Sequence, residues 1–414
     1  MNSIEIMSPV GSYESLSAAI KAGAGSVYFG VGKMNMRSRS SANFSYDDLQ
    51  NIVSICKEHH VLSYLTVNTI VYNDEIEEVR HLLDLAKKYG VSAVIASDWA
   101  VIHYCREIGL EVHVSTQCNI TNVEAVRFYA RFADVMVLAR EVTLKQAAGI
   151  IASVKQENIC GPSGKLIRIE MFIHGALCMA VSGKCYLSLD NFNYSANRGA
   201  CLQPCRRGYE VKDLDGELEL AIENRYIMSP KDLCTIGFLD KIIKAGVTVL
   251  KIEGRGRSAE YVKTVTRCYH EAVQSIAESM YTPEKIKEWE ERLRSVYNRD
   301  FWDGYYLGRK MGEWSGRYGS QATRVKEYVG KVTNYFSRLN VAEIQMETGE
   351  LILGDAYLII GPTTGVYEDE VKELRVDLKP VEKAVKGNSC SLLTHELVRR
   401  GDKVYKWIEK AEDF

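Results

Sequence analysis

The sequence lacks a long apolar run, and no stretch of its 414 residues reaches the length that spans a bilayer. It also lacks an excess of one charge, since 52 lysines and arginines stand against 54 aspartates and glutamates. The first residues show no basic segment followed by an apolar one, which is the pattern of a secretory signal. These absences predict a protein of the reducing cytoplasm with no membrane segment and no overall electrostatic preference for nucleic acid.

Motifs of known peptidases are missing too. The zinc motif H-E-x-x-H does not occur, since its nearest equivalent, "YHEAVQ" at 269–274, has glutamine where the second histidine is required. The serine motif G-x-S-x-G is absent because "GPSG" at 161–164 has the wrong spacing. His174 and Cys178 lie four residues apart and form a candidate Cys–His pair, which makes His174 a candidate catalytic residue. The alternative is a strand-end histidine that hydrogen-bonds a neighbour.

What the chain does have is a regular alternation of strand and helix patterns over its first 255 residues. Near-continuous apolar strands separated by helices are typical of parallel strands that are covered on both faces. Eight such strands predict a TIM-like (β/α)₈ barrel, and the alternative is an open Rossmann-like sheet, although no G-x-G-x-x-G follows the first strand. The predicted strands are 4–10, 26–31, 62–68, 92–97, 110–116, 134–140, 166–175 and 248–255.

The pattern changes after the seventh strand and again after the barrel. A long cysteine-rich segment precedes the eighth strand and contains a hairpin-like stretch at 209–222, where Asp-Gly marks a turn. After the barrel comes a segment rich in glycine, aromatic residues and arginine. The rest of the chain shows strand patterns only. The prediction is a barrel over 1–280 with a cysteine-rich insertion at 176–235, a helical or irregular linker over 281–325, and a small all-β barrel domain over 326–414.

Cysteine is plentiful, at eleven residues, and the odd number argues against a fully paired disulfide framework. Thiolates are soft ligands that suit zinc or an iron–sulfur cluster. Four cysteines fall within 28 residues, with the spacing C-x6-C-x15-C-x3-C: Cys178, Cys185, Cys201 and Cys205. Structural zinc usually uses two tight C-x2-4-C pairs, so this loose spacing favours a cluster, with zinc as the alternative. Cys234 is an alternative fourth ligand.

Basic residues collect where the barrel places the loops that follow its strands. Arginine pairs bidentately with phosphate or carboxylate, so such a rim predicts an anionic partner, either RNA or a small dicarboxylate. Two amide side chains at strand ends, Asn68 and Gln117, are candidates for neutral hydrogen bonds to the same ligand. The candidate substrate-binding arginines are Arg37, Arg140, Arg198 and Arg255.

The eighth predicted strand carries charged residues at alternate positions. Lys251, Glu253 and Arg255 point the same way, into the mouth of the barrel, because alternate residues of a strand share a face. Charges inside a barrel are costly unless they are paired, so Lys251 and Glu253 are candidate catalytic residues. The alternative is an internal layer of ion pairs that braces the barrel.

The segment "EMFIHGALCMAVSGKCYLS" at 170–188 resembles a pattern of the collagenase-like "U" peptidase family, E-x-F-x-x-G-(S/A)-(LIVM)-C-x4-G-x-C-x-(LIVM)-S. The likeness extends over nearly the whole chain, through "STQCNITN", "SPKDLCTIG" and "LKIEGRGRSAEYV". The matching positions are Glu170, Phe172, Gly175, Ala176, Leu177, Cys178, Gly183, Cys185, Leu187 and Ser188.

The resemblance implies a function that the peptidase label does not describe. Several bacterial members of the family are RNA-modifying hydroxylation proteins, and one branch converts the tRNA wobble uridine to 5-hydroxyuridine with prephenate required. These branches are associated with a 4Fe-4S cluster held by a cysteine set that Cys178, Cys185, Cys201 and Cys205 reproduce. The resemblance therefore implies an iron–sulfur tRNA-modifying enzyme with tRNA and prephenate as partners. The alternatives are a collagenase-like peptidase, a hydroxylation protein acting on rRNA, and an RNA-binding scaffold with a zinc-stabilised insertion.

Overall fold

Eight parallel strands close into a barrel in the computed structural model, which describes residues 4–39, 43–210, 225–308 and 312–410. Each strand pairs with the next along the chain, and the last one pairs with both the first and the seventh, which closes the sheet. The predicted (β/α)₈ barrel is therefore confirmed, and the open sheet is excluded. The barrel strands are β1 (Glu5–Pro9), β2 (Ser26–Phe29), β3 (Leu62–Val67), β4 (Ala93–Ala96), β5 (Val112–Val114), β6 (Val135–Val137), β7 (Arg168–Ala176) and β9 (Val249–Ile252).

Helices cover the outside of the barrel, and local sequence signals fix their ends. Ser45 caps the second helix by accepting from the backbone N–H of Asp48, whose carboxylate accepts from the N–H of Ser45 in return. Thr282 caps the tenth helix as its sequence predicts, with Pro283 in the first turn. The helices are α1 (Tyr13–Lys21), α2 (Tyr46–Glu58), α3 (Ile76–Tyr89), α4 (Trp99–Glu107), α5 (Val123–Tyr129), α6 (Leu144–Gln156), α7 (Leu187–Phe192), α8 (Leu239–Lys244), α9 (Ala259–Ala277) and α10 (Pro283–Arg294).

The seventh strand is long and carries two short strands on its outer end. β8 (Asp232–Cys234) pairs antiparallel with the last residues of β7, and β10 (Phe301–Trp302) pairs with β8. The cysteine-rich segment therefore leaves β7 and returns beside it. The predicted hairpin at 209–222 lies, from residue 211 onwards, outside the described residues.

The C-terminal part is an antiparallel all-β region with its own apolar core, built around residues such as Val329, Ile344 and Tyr357. The exact predicted limits of the domains remain predictions. Eight of its strands form one sheet in the order β15-β14-β20-β11-β12-β19-β16-β17, and β13 pairs with β18. These strands are β11 (Arg324–Phe336), β12 (Val341–Met346), β13 (Glu350–Ile352), β14 (Ala356–Gly361), β15 (Gly365–Glu370), β16 (Leu374–Val376), β17 (Lys379–Pro380), β18 (Lys383–Val385), β19 (Ser389–Leu393) and β20 (Lys403–Glu409).

The all-β region packs against α1 and α9 of the barrel. Lys263 on α9 forms an ion pair with Glu368 at 2.8 Å, and Lys326 on β11 forms one with Glu260 at 2.8 Å. Gly365 lies so close to α1 that an added Cβ would meet the backbone nitrogen of Ala18 at 2.9 Å. None of the helices in the described ranges has both the length and the apolar character needed to cross a bilayer.

Candidate active site

A cavity of about 170 Å³ opens at the carboxyl ends of the barrel strands. Barrel side chains form its floor, among them Tyr28 of β2, Phe172 of β7 and Lys251 of β9. Residues that directly follow strands form its walls, and the cysteine-rich segment covers it. This is the end of a (β/α)₈ barrel at which enzymes of this fold place their chemistry.

All four clustered cysteines line this cavity, namely Cys178, Cys185, Cys201 and Cys205. Each is a free thiol. The segment that carries them is anchored by Arg206, which is buried and donates to the carbonyl oxygens of Leu177 at 2.5 Å and Pro230 at 2.7 Å. Glycine is required at one of its turns, because Gly199 has a φ of 81° and an added Cβ would overlap Ser38.

The thiols interact electrostatically with one another. Burial raises the pKa of Cys205 to about 11, the nearby Arg206 opposes that rise, and the neighbouring thiols add to it. Burial, followed by the proximity of Cys178 and Cys201, also raises the pKa of Cys185. Four thiolates at one cavity would repel each other, so a cationic centre among them would stabilise the ionised forms. The donor set therefore fits a metal centre with thiolate ligands.

A zinc ion and a 4Fe-4S cluster require different arrangements of the four sulfurs. Zinc holds four ligand atoms about 2.3 Å from one point. Among the residues that the structure describes, no group of three or more histidine, cysteine, aspartate or glutamate side chains is arranged to hold a single metal ion. In a 4Fe-4S cluster each cysteine binds a different iron atom, so the sulfurs stand farther apart around a common cavity. The four cysteines line one cavity together, and whether they hold a cluster or zinc stays a prediction.

Cations dominate the wall of the cavity beside the thiols. Arg37 donates to Glu253 at 2.9 Å, and Arg140 lies with its guanidinium 4.3 Å from the centre of the Phe172 ring. Arg255 donates to Thr66 at 2.7 Å, and its burial lowers its pKa to about 10. This wall therefore offers guanidinium groups to an anionic ligand.

Glu253 is the carboxylate that faces these arginines. Burial raises the pKa of Glu253, but attraction from Arg37, Arg140 and Arg255 outweighs burial and lowers it to about 2. Glu253 therefore holds Arg37 in place, and its predicted catalytic role stays a prediction.

Lys251 lies at the floor of the cavity between two rings. Its Nζ lies 4.7 Å from the centre of the Tyr28 ring and 5.5 Å from that of Phe172. It donates to Oε1 of Glu170 at 2.7 Å. Burial raises the pKa of Glu170, but Lys251 and His113 lower it to about 2, so the pair is ionic. Lys251 is the predicted catalytic residue whose geometry suits proton transfer at the cavity.

The two predicted amide residues form a reciprocal pair on the wall. Asn68 donates to the side-chain oxygen of Gln117 at 2.8 Å, and Gln117 donates to the backbone carbonyl oxygen of Asn68 at 2.7 Å. Both line the cavity, and their predicted role in binding the substrate stays a prediction. Their main donors bond to each other, which makes them a rigid part of the wall.

Three predicted site residues lie elsewhere. His174 is buried outside the cavity, where its Nδ1 lies 3.3 Å from the hydroxyl of Tyr269 and burial lowers its pKa to about 3. Cys234 lines a different cavity, together with Phe301, so it is not placed to replace one of the four cysteines. Arg198 lines a neighbouring cavity of about 820 Å³, and its guanidinium is forked onto Glu75.

The displacement of His174 has a local cause. Glu170 and Phe172 point into the barrel, and strict alternation would send residue 174 the same way. The pairing of β7 with β9 shifts register between Phe172 and His174, which turns the histidine outwards. The peptidase-like pair of His174 and Cys178 is therefore not formed at the cavity.

Tyr28, Phe172 and Glu170 belong to the site although they were not predicted as site residues. Phe172 and Glu170 stand at alternate positions before the cysteines, and that spacing is the signal that points both side chains into the barrel. Tyr28 carries no comparable signal, because an apolar strand with one aromatic residue is also typical of a core.

Comparison with known proteins places the chain among several named relatives. The family model described as Peptidase family U32 matches residues 11–316. A Porphyromonas gingivalis protein named collagenase is 58% identical over 412 residues and covers 100% of both chains. The tRNA hydroxylation protein P1 of Bacillus subtilis is 31% identical over 86% of this chain and 83% of its own. The Escherichia coli 23S rRNA 5-hydroxycytidine C2501 synthase is 34% identical over 66% of this chain and 40% of its own.

Proposed function

The chain belongs to peptidase family U32, and from that premise we propose that it is an iron–sulfur enzyme that hydroxylates a uridine of tRNA. The observation that carries the proposal is that four thiols, several guanidinium groups and two aromatic rings line one cavity at the barrel mouth. Cys178, Cys185, Cys201 and Cys205 would hold a 4Fe-4S cluster. When bound, such a cluster supplies redox or Lewis-acid chemistry.

The aromatic side chains of the cavity favour a ring as the reacting group. Tyr28 and Phe172 offer aromatic surface on which such a ring stacks. A base that reacts here must leave its stack and enter the pocket, as it does in other enzymes that modify bases.

The guanidinium wall favours an anionic partner beside the ring. Arg37, Arg140 and Arg255 suit the phosphates of RNA or the carboxylates of a co-substrate such as prephenate. Lys251 lies between the two aromatic walls and is the side chain placed to give or take a proton at the ring. The relatives named for tRNA and rRNA hydroxylation support an RNA substrate.

A collagenolytic peptidase is the second candidate, because the relative named collagenase shares 58% of its residues with this chain. A cysteine peptidase needs a histidine beside its nucleophile. The described residues that line the cavity include four cysteines and no histidine. The geometry therefore favours the hydroxylation enzyme.

The deciding experiment compares tRNA nucleosides from a strain lacking the gene with those from the parent strain by mass spectrometry. We expect 5-hydroxyuridine and nucleosides derived from it to disappear, and to return with the wild-type gene or Cys234→Ala but not with Cys178→Ala. Cys234 is the matched control, because it is a free cysteine that lines another cavity. Unchanged nucleosides, together with gelatin cleavage that Cys178→Ala abolishes, would establish the peptidase instead.

A further inference from the structure

A column of charged side chains runs through the barrel beneath the cavity. Lys251 donates to Oε1 of Glu170 at 2.7 Å, and Oε2 of Glu170 lies 3.4 Å from Nδ1 of His113. On the other side of the ring, Nε2 of His113 lies 3.6 Å from Oε1 of Glu111. His113 thus stands between a carboxylate that contacts the cavity lysine and a second carboxylate farther down.

The lower end of the column reaches solvent. Glu111 directly precedes β5, and Arg168 begins β7, so both lie at the amino ends of strands, opposite the cavity. Their side chains are 39% and 38% exposed, whereas His113 and Glu170 are fully buried. Arg168 contacts Glu111 at 3.6 Å and Glu5 at 2.8 Å. The column therefore connects the cavity floor with the opposite face of the barrel.

The charges of the column balance. Lys251, His113 and Arg168 are bases, and Glu170, Glu111 and Glu5 are acids. Burial lowers the pKa of His113, but the carboxylates of Glu111 and Glu170 raise it above its usual value of 6.5. The other groups that face the ring are Tyr64 of β3, whose ring centre lies 4.4 Å away, and the carboxylate of Glu5 of β1. A protonated His113 makes the sum of the six charges zero.

The contacts of His113 are loose for a structural brace. The usual N–H···O hydrogen bond spans 2.7–3.2 Å. Within the described residues, neither ring nitrogen of His113 nor Oε2 of Glu170 makes a hydrogen bond of acceptable geometry. A buried ion pair that only braces a barrel gains its stability from close, well-aligned contacts. Proton transfer needs hydrogen-bond distance, and the two N···O distances of 3.4 Å and 3.6 Å exceed it by only a few tenths of an ångström, so a small shift of the ring brings either nitrogen into reach of its carboxylate.

We propose that His113 carries protons between the Lys251–Glu170 pair at the cavity and solvent at the amino-terminal end of the barrel. When an N–H bond of Lys251 breaks and its proton goes to the substrate, His113 gives its Nδ1 proton to Glu170, which passes a proton to Lys251. The ring turns and recovers one proton from water at the exposed Glu111. No electrons move, and one proton enters from solvent for each proton consumed.

The first test does not depend on turnover. NMR of the full chain with ¹⁵N-labelled histidine gives the protonation state of His113, and His113→Gln identifies its signals by their loss. We expect both ring nitrogens to be protonated at pH 7, and Glu111→Gln to lower the pH at which the ring loses a proton. A ring that is neutral at pH 6, or one that does not respond to Glu111→Gln, would overturn the proposal.

The second test rests on the proposed function and measures turnover on tRNA. Glu111→Gln changes a side chain at the far end of the barrel from the cavity. We expect kcat to fall tenfold or more, with an altered pH profile and with KM for tRNA unchanged within twofold. The matched control is Glu157→Gln, which removes another half-exposed carboxylate that pairs with a surface arginine, Arg127, and should change neither constant.

The two tests separate the possible failures. A wild-type protein that does not modify tRNA would refute the proposed function, and the NMR titration would still decide the role of His113. A modifying enzyme in which Glu111→Gln and Glu157→Gln have equal kcat would refute the relay alone. Circular dichroism of each variant verifies folding, and the partly exposed Glu111 keeps the test available if His113→Gln does not fold.

Discussion

Arg37 and Glu253 form an ion pair of 2.9 Å at the edge of the cavity, with side chains that are 26% and 15% exposed. The pair joins the loop after β2 to the residue that follows β9, so it fastens one side of the barrel mouth. Because Arg140 and Arg255 also lower the pKa of Glu253, this one carboxylate offsets part of the positive charge of the three arginines and leaves the wall cationic.

Replacing that carboxylate should change the pH dependence of stability. The pKa of Glu253 is about 2 in the folded protein, below its usual value of 4.5, so its contribution is present above pH 4.5 and disappears as the pH falls towards 2. We expect Glu253→Gln to lower the free energy of unfolding by about 2 kcal/mol at pH 7 and to flatten its decline between pH 4.5 and 2. Urea titrations across this range measure both effects. Glu77→Gln, which removes an exposed carboxylate, should change neither, and an unaltered acid slope in Glu253→Gln would contradict the assignment.

Each of the four cavity cysteines should be required for iron. After anaerobic purification, we expect wild-type protein to contain iron and sulfide, and alanine variants of Cys178, Cys185, Cys201 and Cys205 to contain less than half as much. Cys234→Ala should retain the wild-type amount, because its thiol lines another cavity. Elemental analysis and visible absorbance provide the measurement. Zinc without iron in the wild-type protein would instead support the scaffold with a metal-stabilised insertion.

The buried pair of Lys251 and Glu170 should show strong coupling in a double-mutant cycle. The single variants Glu170→Leu and Lys251→Met each leave one buried charge without its counter-ion, at a site where the side chains of Lys251 and Glu170 are 6% and 0% exposed. We expect a loss of about 4 kcal/mol in unfolding free energy. The double variant Lys251→Met/Glu170→Leu should recover most of that loss while abolishing turnover. Additive losses in the cycle would show that the two residues are not coupled.

The packing of the all-β region against α1 should depend on the absence of a side chain at Gly365. Gly365 has a φ of 68°, and a Cβ there would meet the backbone of Ala18 at 2.9 Å. Gly387 has a φ of 94° but open space around it, so it is a control for backbone strain alone. We expect Gly365→Ala to lose about 2 kcal/mol more than Gly387→Ala, as a lower midpoint of thermal unfolding. Equal losses of stability in the two variants would show that the backbone around Ala18 moves to accommodate the added Cβ without a free-energy penalty.

The barrel was predictable because its strands are short apolar runs at regular intervals, a local property of the chain. The convergence of the four cysteines followed from their crowding after a strand whose end had to lie at the barrel mouth. Contacts between residues far apart in the sequence are harder to predict. Lys251 contacts Glu170 because β9 lies beside β7, and the alternation of residues within one strand does not show which residue of another strand will be its partner. The sequence predicts His174 at the site, but a register shift in β7 turns its side chain to the outside of the barrel. Nothing in the local sequence signals such a shift. Arg198 was assigned to substrate, yet Glu75, which is distant in sequence, binds its guanidinium.

The pairing of β8 with β7 has a consequence for how an inorganic centre would be acquired. Ala176 and Asp232 are direct partners across that pair, so the two ends of the thiol-bearing excursion are joined by the sheet itself. The conformational entropy of closing this segment into a loop is therefore lost when the polypeptide folds, and not when the metal centre binds. Small zinc domains, in contrast, reach their fold only with the ion in place. The apoprotein should therefore be a stable receptor that accepts an assembled cluster from a donor, with little change in its backbone.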